Sequence, residues 1–154
     1  MDISAKTDYA VRAMLQLATA AHEGQGPLSV GALAHEQELP RKFLEAIVAD
    51  LRRAGLVSST RGAHGGYALS QPASEIALGT IFRAVDGPLA EVRGLRPHDT
   101  AYSGAATHLP TIWVAVRASL RSVLDETSLE QLRTGDLPPH VAALAAAPDA
   151  WRNR

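Results

Sequence analysis

The sequence of 154 residues contains no cysteine. Without thiolates the chain forms no disulfide, no cysteine-ligated zinc site, no cysteine redox sensor and no cysteine-ligated iron–sulfur cluster. Aromatic residues are also scarce, at 5% of the chain. This alanine-rich, aromatic-poor balance favours helices over extended sheet.

Long apolar runs and catalytic signatures are missing as well. No run reaches the length that crosses a membrane, and Asp8 and Arg12 interrupt the first apolar stretch, so no signal peptide is indicated and we expect a cytoplasmic protein. There is no Gly-x-Ser-x-Gly elbow and no His-Glu-x-x-His pair. The glycine-rich stretch 62–66 leads into a strand, whereas a phosphate-binding loop opens a helix. We therefore expect the protein not to be an enzyme.

Charge is unevenly distributed along a chain whose formal net charge is only −1. Residues 41–61 include five basic and two acidic side chains, a difference of +3, whereas residues 99–140 include three basic and five acidic ones, a difference of −2. One end of the molecule is therefore suited to face phosphates. Because the excess is modest, tight binding to nucleic acid is expected to need two copies of that surface.

The apolar pattern of the first half predicts three helices. We expect Thr7 to cap the first and Ser29 the second, while Pro40 takes the first position of the third, where its missing N–H costs nothing. Gly55 is expected to end the third helix. The positions predicted to be buried are Ala10, Met14, Leu17, Ala18 and Ala21, then Val30, Leu33 and Ala34, then Phe43, Leu44, Ile47, Val48 and Leu51.

A glycine-rich hairpin follows the third helix. A short apolar strand leads to Arg61, and a second strand is expected from Tyr67. The paired Gly65 and Gly66 are expected to supply the positive φ angles of a tight turn. A helix followed by such a two-stranded wing is a DNA-recognition device; the alternative is an ordinary hairpin that caps a helical core.

Basic residues lie at both ends of the third helix. Arg41 and Lys42 occupy its first turn, where positive charge opposes the helix dipole, so a nearby phosphate or guanine edge is expected to account for them. Arg52 and Arg53 occupy the last turn. A solvated pair that complements the dipole is the simpler explanation for these two, and Arg52 is also a candidate DNA contact.

Beyond the wing, a short helix is predicted over Leu78–Val85, with a stop at the Asp86-Gly87-Pro88 sequence. Residues 91–109 have no steady period and are expected to form a long irregular loop. Ser128 with Gln131 forms a capping box for a short late helix. The alanine- and proline-rich tail from Pro138 is predicted to be frayed.

The longest helix is predicted over Pro110–Leu124. The winged part of the chain has enough apolar residues to close on itself, so this helix is expected to pair with its copy in a second subunit. Packing within one subunit is the alternative. Its apolar face comprises Trp113, Val116, Leu120, Val123 and Leu124.

A set of short motifs occurs in one order and spacing along the chain. They are Tyr9-Ala10 with Arg12, Leu17-Ala18, Leu33-Ala34, Leu39-Pro40, Phe43-Leu44-Glu45, Ala54-Gly55-Leu56-Val57, Arg61-Gly62, Gly65-Gly66-Tyr67 and Val85-Asp86-Gly87-Pro88. As a set they resemble the Rrf2 family of bacterial winged-helix regulators, the IscR, NsrR and CymR group. The match runs to about Leu89 and resumes more weakly at Trp113.

The resemblance implies a mainly α fold, a winged helix-turn-helix with a two-stranded β wing and a long C-terminal dimerisation helix. It divides the chain into a DNA-binding domain over 1–89, an irregular loop over 90–109 at the family's sensor-loop position, a dimerisation helix and short following helix over 110–137, and a flexible tail over 138–154. The implied function is a homodimeric, sequence-specific regulator, usually a repressor, bound to a pseudo-palindromic operator in double-stranded DNA.

The resemblance also implies roles for individual residues. Arg41, Lys42 and Glu45 match positions that face base edges in the major groove, and Glu45 suits a cytosine amino group. Arg61 and the wing tip around His64 and Gly65 match the part that enters the minor groove, where an A·T-rich sequence strengthens the negative potential. Lys6 resembles a phosphate-contacting position. A winged-helix protein–protein module that has lost DNA binding is the alternative function, and it would not need Arg41, Lys42 and Arg61 together.

Many relatives hold an iron–sulfur cluster through three cysteines in the loop, and here the departure is complete. Leu95, Ala101 and Thr107 lie near those positions. Asp8 matches a carboxylate ligand of some members, but one carboxylate cannot hold a cluster, and a first-turn helix acid is the simpler role. We therefore expect no cofactor of the family type.

Three alternatives replace the cluster. His98, Asp99 and His108 offer ligands for a divalent metal, but their spacing matches no established site, so we expect no metal there. A small-molecule effector between the loop, Trp113 and the first helix is the second alternative. The third is no effector at all, with control by a partner protein or by expression level.

Overall fold

Seven α-helices and a two-stranded antiparallel sheet form the described part of the chain. The computed structural model describes residues 2–152. In chain order the elements are α1 (Ala5–His22), α2 (Val30–Glu36), α3 (Arg41–Arg53), β1 (Val57–Thr60), β2 (Gly66–Leu69), α4 (Leu78–Asp86), α5 (Leu109–Leu124), α6 (Leu129–Thr134) and α7 (Pro139–Ala146). The predicted mainly α fold with a β wing is confirmed.

Serine side chains cap three of the helices. Ser29 caps α2 and Ser128 caps α6, as predicted. For α1 the predicted cap was wrong: Ser4 is the N-cap, and its Oγ accepts from the Thr7 backbone N–H at 3.0 Å. Thr7 is buried inside the helix, where its hydroxyl donates to Asp86 at 2.5 Å. The hydroxyl is therefore used for a tertiary contact.

Helix α3 begins one residue later than predicted. Pro40 is its N-cap, with extended backbone and a carbonyl that accepts from the Leu44 N–H at 3.0 Å, and Arg41 is the first helical residue. Phe43 was predicted to be buried, and that was wrong: it is 44% exposed, with its ring edge-on to Tyr9 at 5.7 Å between centroids. The other predicted core positions of α3 are buried: Leu44, Ile47, Val48 and Leu51.

Helix α1 lies at the centre of the winged domain and packs against α3, α4, α6 and β2. Ala10, Met14, Leu17 and Ala18 are buried as predicted. Ala13 and Ala20 are buried as well, and Ala21 is exposed, against the prediction. In α2, Leu33 and Ala34 are buried and Val30 is half-buried against the core. The largest fully buried apolar side chains are Met14, Leu33, Leu44, Ile47, Leu51, Ile76, Ile81 and Leu129.

Helix α6 contributes to that same core although it follows the long C-terminal helix. Leu129 is fully buried in it. The Leu129 N–H donates to the Ile76 carbonyl at 2.8 Å, and the Leu78 N–H donates to the Thr127 carbonyl at 3.0 Å. A residue beyond α5 thus completes the domain that the sequence assigned to residues 1–89.

Strands β1 and β2 form the wing in antiparallel register, with Val57 opposite Leu69. β2 begins at Gly66, one residue before the predicted start. The predicted pair of positive φ angles was half right: Gly66 has φ +149° and Gly62 has φ +111°, whereas Gly65 is not in that region. Gly65 is needed for space, because a Cβ there would overlap the backbone of the turn at Thr60 and Arg61.

The wing is fastened to the segment before α2 by two backbone hydrogen bonds. The Leu28 N–H donates to the Tyr67 carbonyl at 2.9 Å, and the Tyr67 N–H donates to the Leu28 carbonyl at 2.8 Å. A Cβ at Gly66 would overlap the Leu28 backbone, so this close approach requires glycine. The wing is therefore held to the helix-turn-helix rather than projecting freely.

Helix α5 is the least covered of the long helices. It begins at Leu109, one residue before the predicted start, and none of its residues is buried. A helix α7 occupies Pro139–Ala146 in the stretch predicted to be frayed, and His140 Nε2 lies 2.7 Å from the Ser122 carbonyl of α5. Across residues 2–152, no helix has the length and apolar character needed to cross a membrane.

Candidate nucleic-acid interface

The α2–turn–α3 unit presents the first turn of α3 outward. Leu39 of the turn is buried, and Glu38 adopts a left-handed conformation with φ 52° that reverses the chain. Because Leu44, Ile47 and Leu51 anchor one face of α3 in the core, side chains outside that face point away from the core. Arg41, Lys42 and Glu45 are all exposed there.

Two of these three side chains interact with each other. Arg41 Nε lies 3.3 Å from Glu45 Oε1 across one helical turn, and the side chains are 70% and 54% exposed. Such an exposed pair contributes well under about 1 kcal/mol, so either group can exchange its partner for another at little cost. The Lys42 ammonium makes no hydrogen bond or ion pair with any described residue.

Near the C-terminal end of α3, Asp50 forms ion pairs with two cations. Its carboxylate lies 2.7 Å from both Lys6 Nζ and Arg53 Nη1 and is only 19% exposed. The hydrogen bond from Lys6, helped by that from Arg53, holds the Asp50 pKa below its ordinary value against the opposing effect of burial. Lys6 Nζ also donates to the Val85 carbonyl at 2.6 Å. Lys6 therefore joins α1, α3 and α4. Arg52, which precedes Arg53 in α3, is exposed.

A second carboxylate anchors the start of α1. Asp86, the last residue of α4, accepts from the hydroxyls of Ser4 and Thr7. These two hydrogen bonds lower the Asp86 pKa. In the sequence, Asp86 is recognisable only as part of a helix stop. No local pattern indicates its role at α1, because the two hydroxyls lie 79 or more residues away in the chain.

The wing tip carries the remaining predicted DNA contacts. Arg61 and His64 are exposed and have no hydrogen-bond or ion-pair partner within the described part of the chain, and Gly65 is half-buried. This tip is the turn between β1 and β2, the two strands that directly follow α3 in the chain. An exposed, unpaired guanidinium at a turn is available for a phosphate or a groove.

The loop between α4 and α5 holds no metal-binding group. His98 Nε2 lies 3.5 Å from Asp99 Oδ1, and His98 Nδ1 lies 3.1 Å from Arg117 Nη2, while His108 is the N-cap residue of α5. No set of three or more potential ligands comes together anywhere in residues 2–152. Asp8 lies in the first turn of α1, 3.6 Å from Arg12, which agrees with its simpler predicted role.

The predicted dimer face on α5 is half-buried in the single chain. This holds for Trp113, Val116, Leu120, Val123 and Leu124 alike. Leu124 packs against the edge of the core. Trp113 Nε1 is buried and finds no hydrogen-bond acceptor among the described residues.

A helix-turn-helix with an exposed basic first turn, followed by a β wing, defines the winged-helix class of DNA-binding proteins. Comparison with known proteins places the chain more narrowly. A family model described as Rrf2, iron-dependent transcriptional regulator, matches residues 3–135. The chain belongs to the Rrf2 family of transcriptional regulators. Its members act on transcription and not as enzymes, as the sequence predicted.

Relatives extend over nearly the whole chain. A candidate HTH-type transcriptional regulator of Mycobacterium tuberculosis, Rv1287, is 49% identical over 145 residues, covering 94% of this chain and 89% of the relative. The HTH-type transcriptional regulator CymR of Bacillus subtilis is 37% identical over 132 residues, covering 86% and 89%.

Solved structures agree with the fold. The structure of CymR, the global cysteine regulator of B. subtilis, superposes with a TM-score of 0.73 at 34% identity, covering 88% of this chain and 98% of that one. T. potens IscR superposes with a TM-score of 0.70 at 34% identity, covering 88% of both chains.

The family description names iron, but the donor set of this chain does not fit a cysteine-ligated cluster. The sequence has no cysteine, and Leu95, Ala101 and Thr107 near the family's ligand positions offer no thiolate. Asp8 is paired with Arg12.

Proposed function

We propose that the protein is a homodimeric repressor that binds a pseudo-palindromic DNA operator and works without an iron–sulfur cluster. The observation that carries the proposal is a set of exposed cations on α3 and the wing that have no partner within residues 2–152. They are Lys42, Arg52 and Arg61. Cations held in solvent next to a recognition helix are suited to phosphates and base edges.

In the proposed complex, the first turn of α3 enters the major groove. Arg41 and Lys42 contact base edges or phosphates, and Glu45 accepts from a cytosine amino group. On DNA binding, the weak Arg41–Glu45 ion pair of the free protein breaks, or both side chains contact bases while they remain paired. Arg52 contacts the phosphate backbone. Lys6 contributes by fixing α1 to α3 through Asp50, since its ammonium already has two acceptors.

The wing supplies the second part of the recognition surface. Arg61, with His64 and Gly65 at the tip, enters the minor groove beside the site contacted by α3. The Leu28–Tyr67 hydrogen bonds support this role, because they fix the tip relative to the helix-turn-helix. A fixed wing loses little conformational freedom on binding.

The dimer is proposed to form through α5. A helix of 16 residues with an apolar face and no buried residue leaves its surface to be covered by something outside the chain. The buried Trp113 N–H has no acceptor among the described residues, and leaving such a donor unpaired costs about 1–3 kcal/mol. An acceptor supplied by a second chain would remove this cost, which further supports a dimer at this helix. Two copies then present two α3 helices to half-sites about one helical turn, or a small multiple of it, apart.

The test is binding of the full chain to fragments selected from genomic DNA, measured at two or more salt concentrations. We expect specific fragments and a logarithmic slope of roughly one unit per neutralised phosphate. Sedimentation of the same sample should show a dimer. A monomer that ignores the fragments at low salt would contradict the proposal, and salt-independent binding to a protein partner would favour the interaction-module alternative.

A further inference from the structure

Four arginines converge around one cavity on the side of the chain formed by α4, the loop and α5. The cavity has a volume of about 440 Å³. Arg83 reaches it from α4, Arg96 from the loop, and Arg117 and Arg121 from α5. We call it the arginine pocket. His98 and the segment 87–90, which includes Pro88 and Leu89, complete its lining.

The arginine pocket has no carboxylate in its lining. Arg83 is neutralised from outside by Asp125, with Nη1 and Oδ1 2.8 Å apart. Among the described residues, the Arg117 guanidinium has one polar partner, His98 Nδ1, at 3.1 Å from Nη2. The side chains of Arg96 and Arg121 have no partner within residues 2–152. Three guanidinium groups thus surround one cavity without a protein counter-charge of their own.

Like charges brought together repel unless an anion lies between them. A guanidinium presents a planar fork of N–H donors that fits a carboxylate or a phosphate through two parallel hydrogen bonds. The volume is that of a site for a small metabolite. Pro88 and Leu89 offer an apolar wall for a short carbon skeleton.

We propose that the arginine pocket binds a small polyanion, a metabolite that carries two or more carboxylate or phosphate groups. Arg96, Arg117 and Arg121 hold its anionic groups, and Arg83 is shared between the ligand and Asp125. This site was missed in the sequence because its cations come from three elements. The stretch that contains two of them has a net acidic composition.

The pocket is connected to the DNA-binding surface by contacts already described. Helix α4 provides Arg83 to the pocket and, at Val85, the carbonyl that accepts from Lys6. Lys6 in turn holds Asp50 of α3. A ligand that draws α4 and α5 together is therefore placed to change how α3 is presented. This regulatory role rests on the proposed function, whereas binding of the anion does not.

The test is calorimetric titration of the full chain with citrate and, separately, with inorganic pyrophosphate. Ionic strength is kept constant at about 0.15 M, so that unspecific screening is equal in all samples. We expect saturable binding of at least one probe with one site per chain. Saturating probe should also raise the melting temperature, because it binds the folded state.

The decisive variant is R96Q/R121Q, which removes two cations that have no protein partner and so leaves every described ion pair intact. We expect its affinity for the probe to fall by about tenfold or more, since each charged hydrogen bond contributes about that factor. The matched control is R93Q/R152Q, which removes the same charge from residues outside the pocket. Its affinity should stay within about twofold of the wild type.

Several outcomes would overturn the proposal. They are no saturable binding of either probe, or an equal loss in both double variants, which would mean general charge attraction. Conversion of R96Q/R121Q to a monomer without added probe would assign the arginines to carboxylates of a second copy. Should that variant fail to fold, R96K/R121K keeps the charge and removes the fork, and unchanged affinity there would contradict bidentate binding. Equal operator affinity with and without bound probe would overturn the regulatory role alone.

Discussion

At the scale of single residues, the polar side chains around α3 divide into those that hold the fold and those left to solvent. Lys6, Asp50 and Arg53 form a closed set of ion pairs. Lys42 and Arg61 have no described partner at all. Lys6 and Lys42 are both lysines predicted to contact DNA, yet Lys6 is held in an ion pair within the fold and Lys42, unpaired in the described part of the chain, is free to bind a ligand. Only the three-dimensional surroundings of the two residues distinguish these roles.

Glu45 is the residue from which we expect base specificity. Glu45→Ala should relax preference by about 1–3 kcal/mol at a single base pair of each half-site, since a carboxylate that accepts from cytosine disfavours the other bases. Competition binding with operators changed one base pair at a time measures this. Glu75→Ala, an exposed acid outside the helix-turn-helix, is the control. Unchanged preference at every position would remove Glu45 from recognition.

Asp50 should give the fold part of its acid sensitivity. Its pKa is lowered in the folded state, so its contribution to the free energy of unfolding is present above the unfolded value of about 3.9 and is lost as pH falls through the folded pKa. Asp50→Asn should therefore lower stability by about 1 kcal/mol at neutral pH and by progressively less below about pH 4. Denaturant titrations across pH check this.

The control for that experiment is Asp136→Asn, an exposed acid whose side chain is in no described ion pair. It should follow the wild type at every pH. A constant deficit of Asp50→Asn down to pH 2 would mean that the lost stability comes from packing and not from the charge.

At the scale of elements, local sequence patterns were enough to predict features that depend on one helix alone. The spacing of Leu44, Ile47 and Leu51 predicted the buried face of α3, and Ser29 and Ser128 predicted two caps. The predictions were wrong where a distant element decides. Helix α1 begins before Thr7, whose hydroxyl donates to Asp86, and Ser4, whose hydroxyl also donates to Asp86, is the N-cap.

The wing glycines and the arginine pocket are further features that local sequence patterns could not predict. Gly65 is required by the backbone of the turn and not by its own φ, which no residue pattern reveals. The pocket joins Arg83 to Arg117 and Arg121 across an irregular loop. Charge counted along the chain cannot detect a cluster that forms only when elements pack together. The predicted DNA contacts came from matching motifs, and they stay predictions.

The wing provides a test of minor-groove recognition. Arg61→Ala should weaken operator binding mainly when the flanks are A·T-rich, because the narrow groove there has the stronger negative potential. Binding to matched operators with A·T-rich and G·C-rich flanks measures the difference. Arg152→Ala is the control for the loss of one positive charge. An equal loss of operator affinity with both kinds of flank would mean that Arg61 contacts phosphate and does not recognise the minor groove.

At the scale of the whole molecule, the proposed dimer helix α5 is expected to decide whether one chain can bind the operator alone. Val116→Glu places a charge on the proposed dimer face and should shift the protein from dimer to monomer while helical content is kept, since Val116 is not part of the core. Sedimentation velocity and circular dichroism measure the two effects. Operator affinity should fall by at least about tenfold with loss of the second contact surface.

Ala115→Glu is the matched control for that variant. Ala115 is an exposed neighbour on the same helix, so the same charge should leave the dimer intact. A Val116→Glu protein that remains a dimer would contradict the assignment of this face.

The hydrogen bonds between residues 76–78 and 127–129 also limit where the chain can be cut. A fragment that ends at residue 89 would lack Leu129, which is fully buried against the other core residues, and removal of such a side chain costs about 2–5 kcal/mol. The C-terminal end of α5 is thus tied to the same winged domain. In the proposed dimer, a rotation of one subunit against the other is therefore expected to move its recognition helix with it, and the spacing of the two half-sites on DNA is expected to report that rotation.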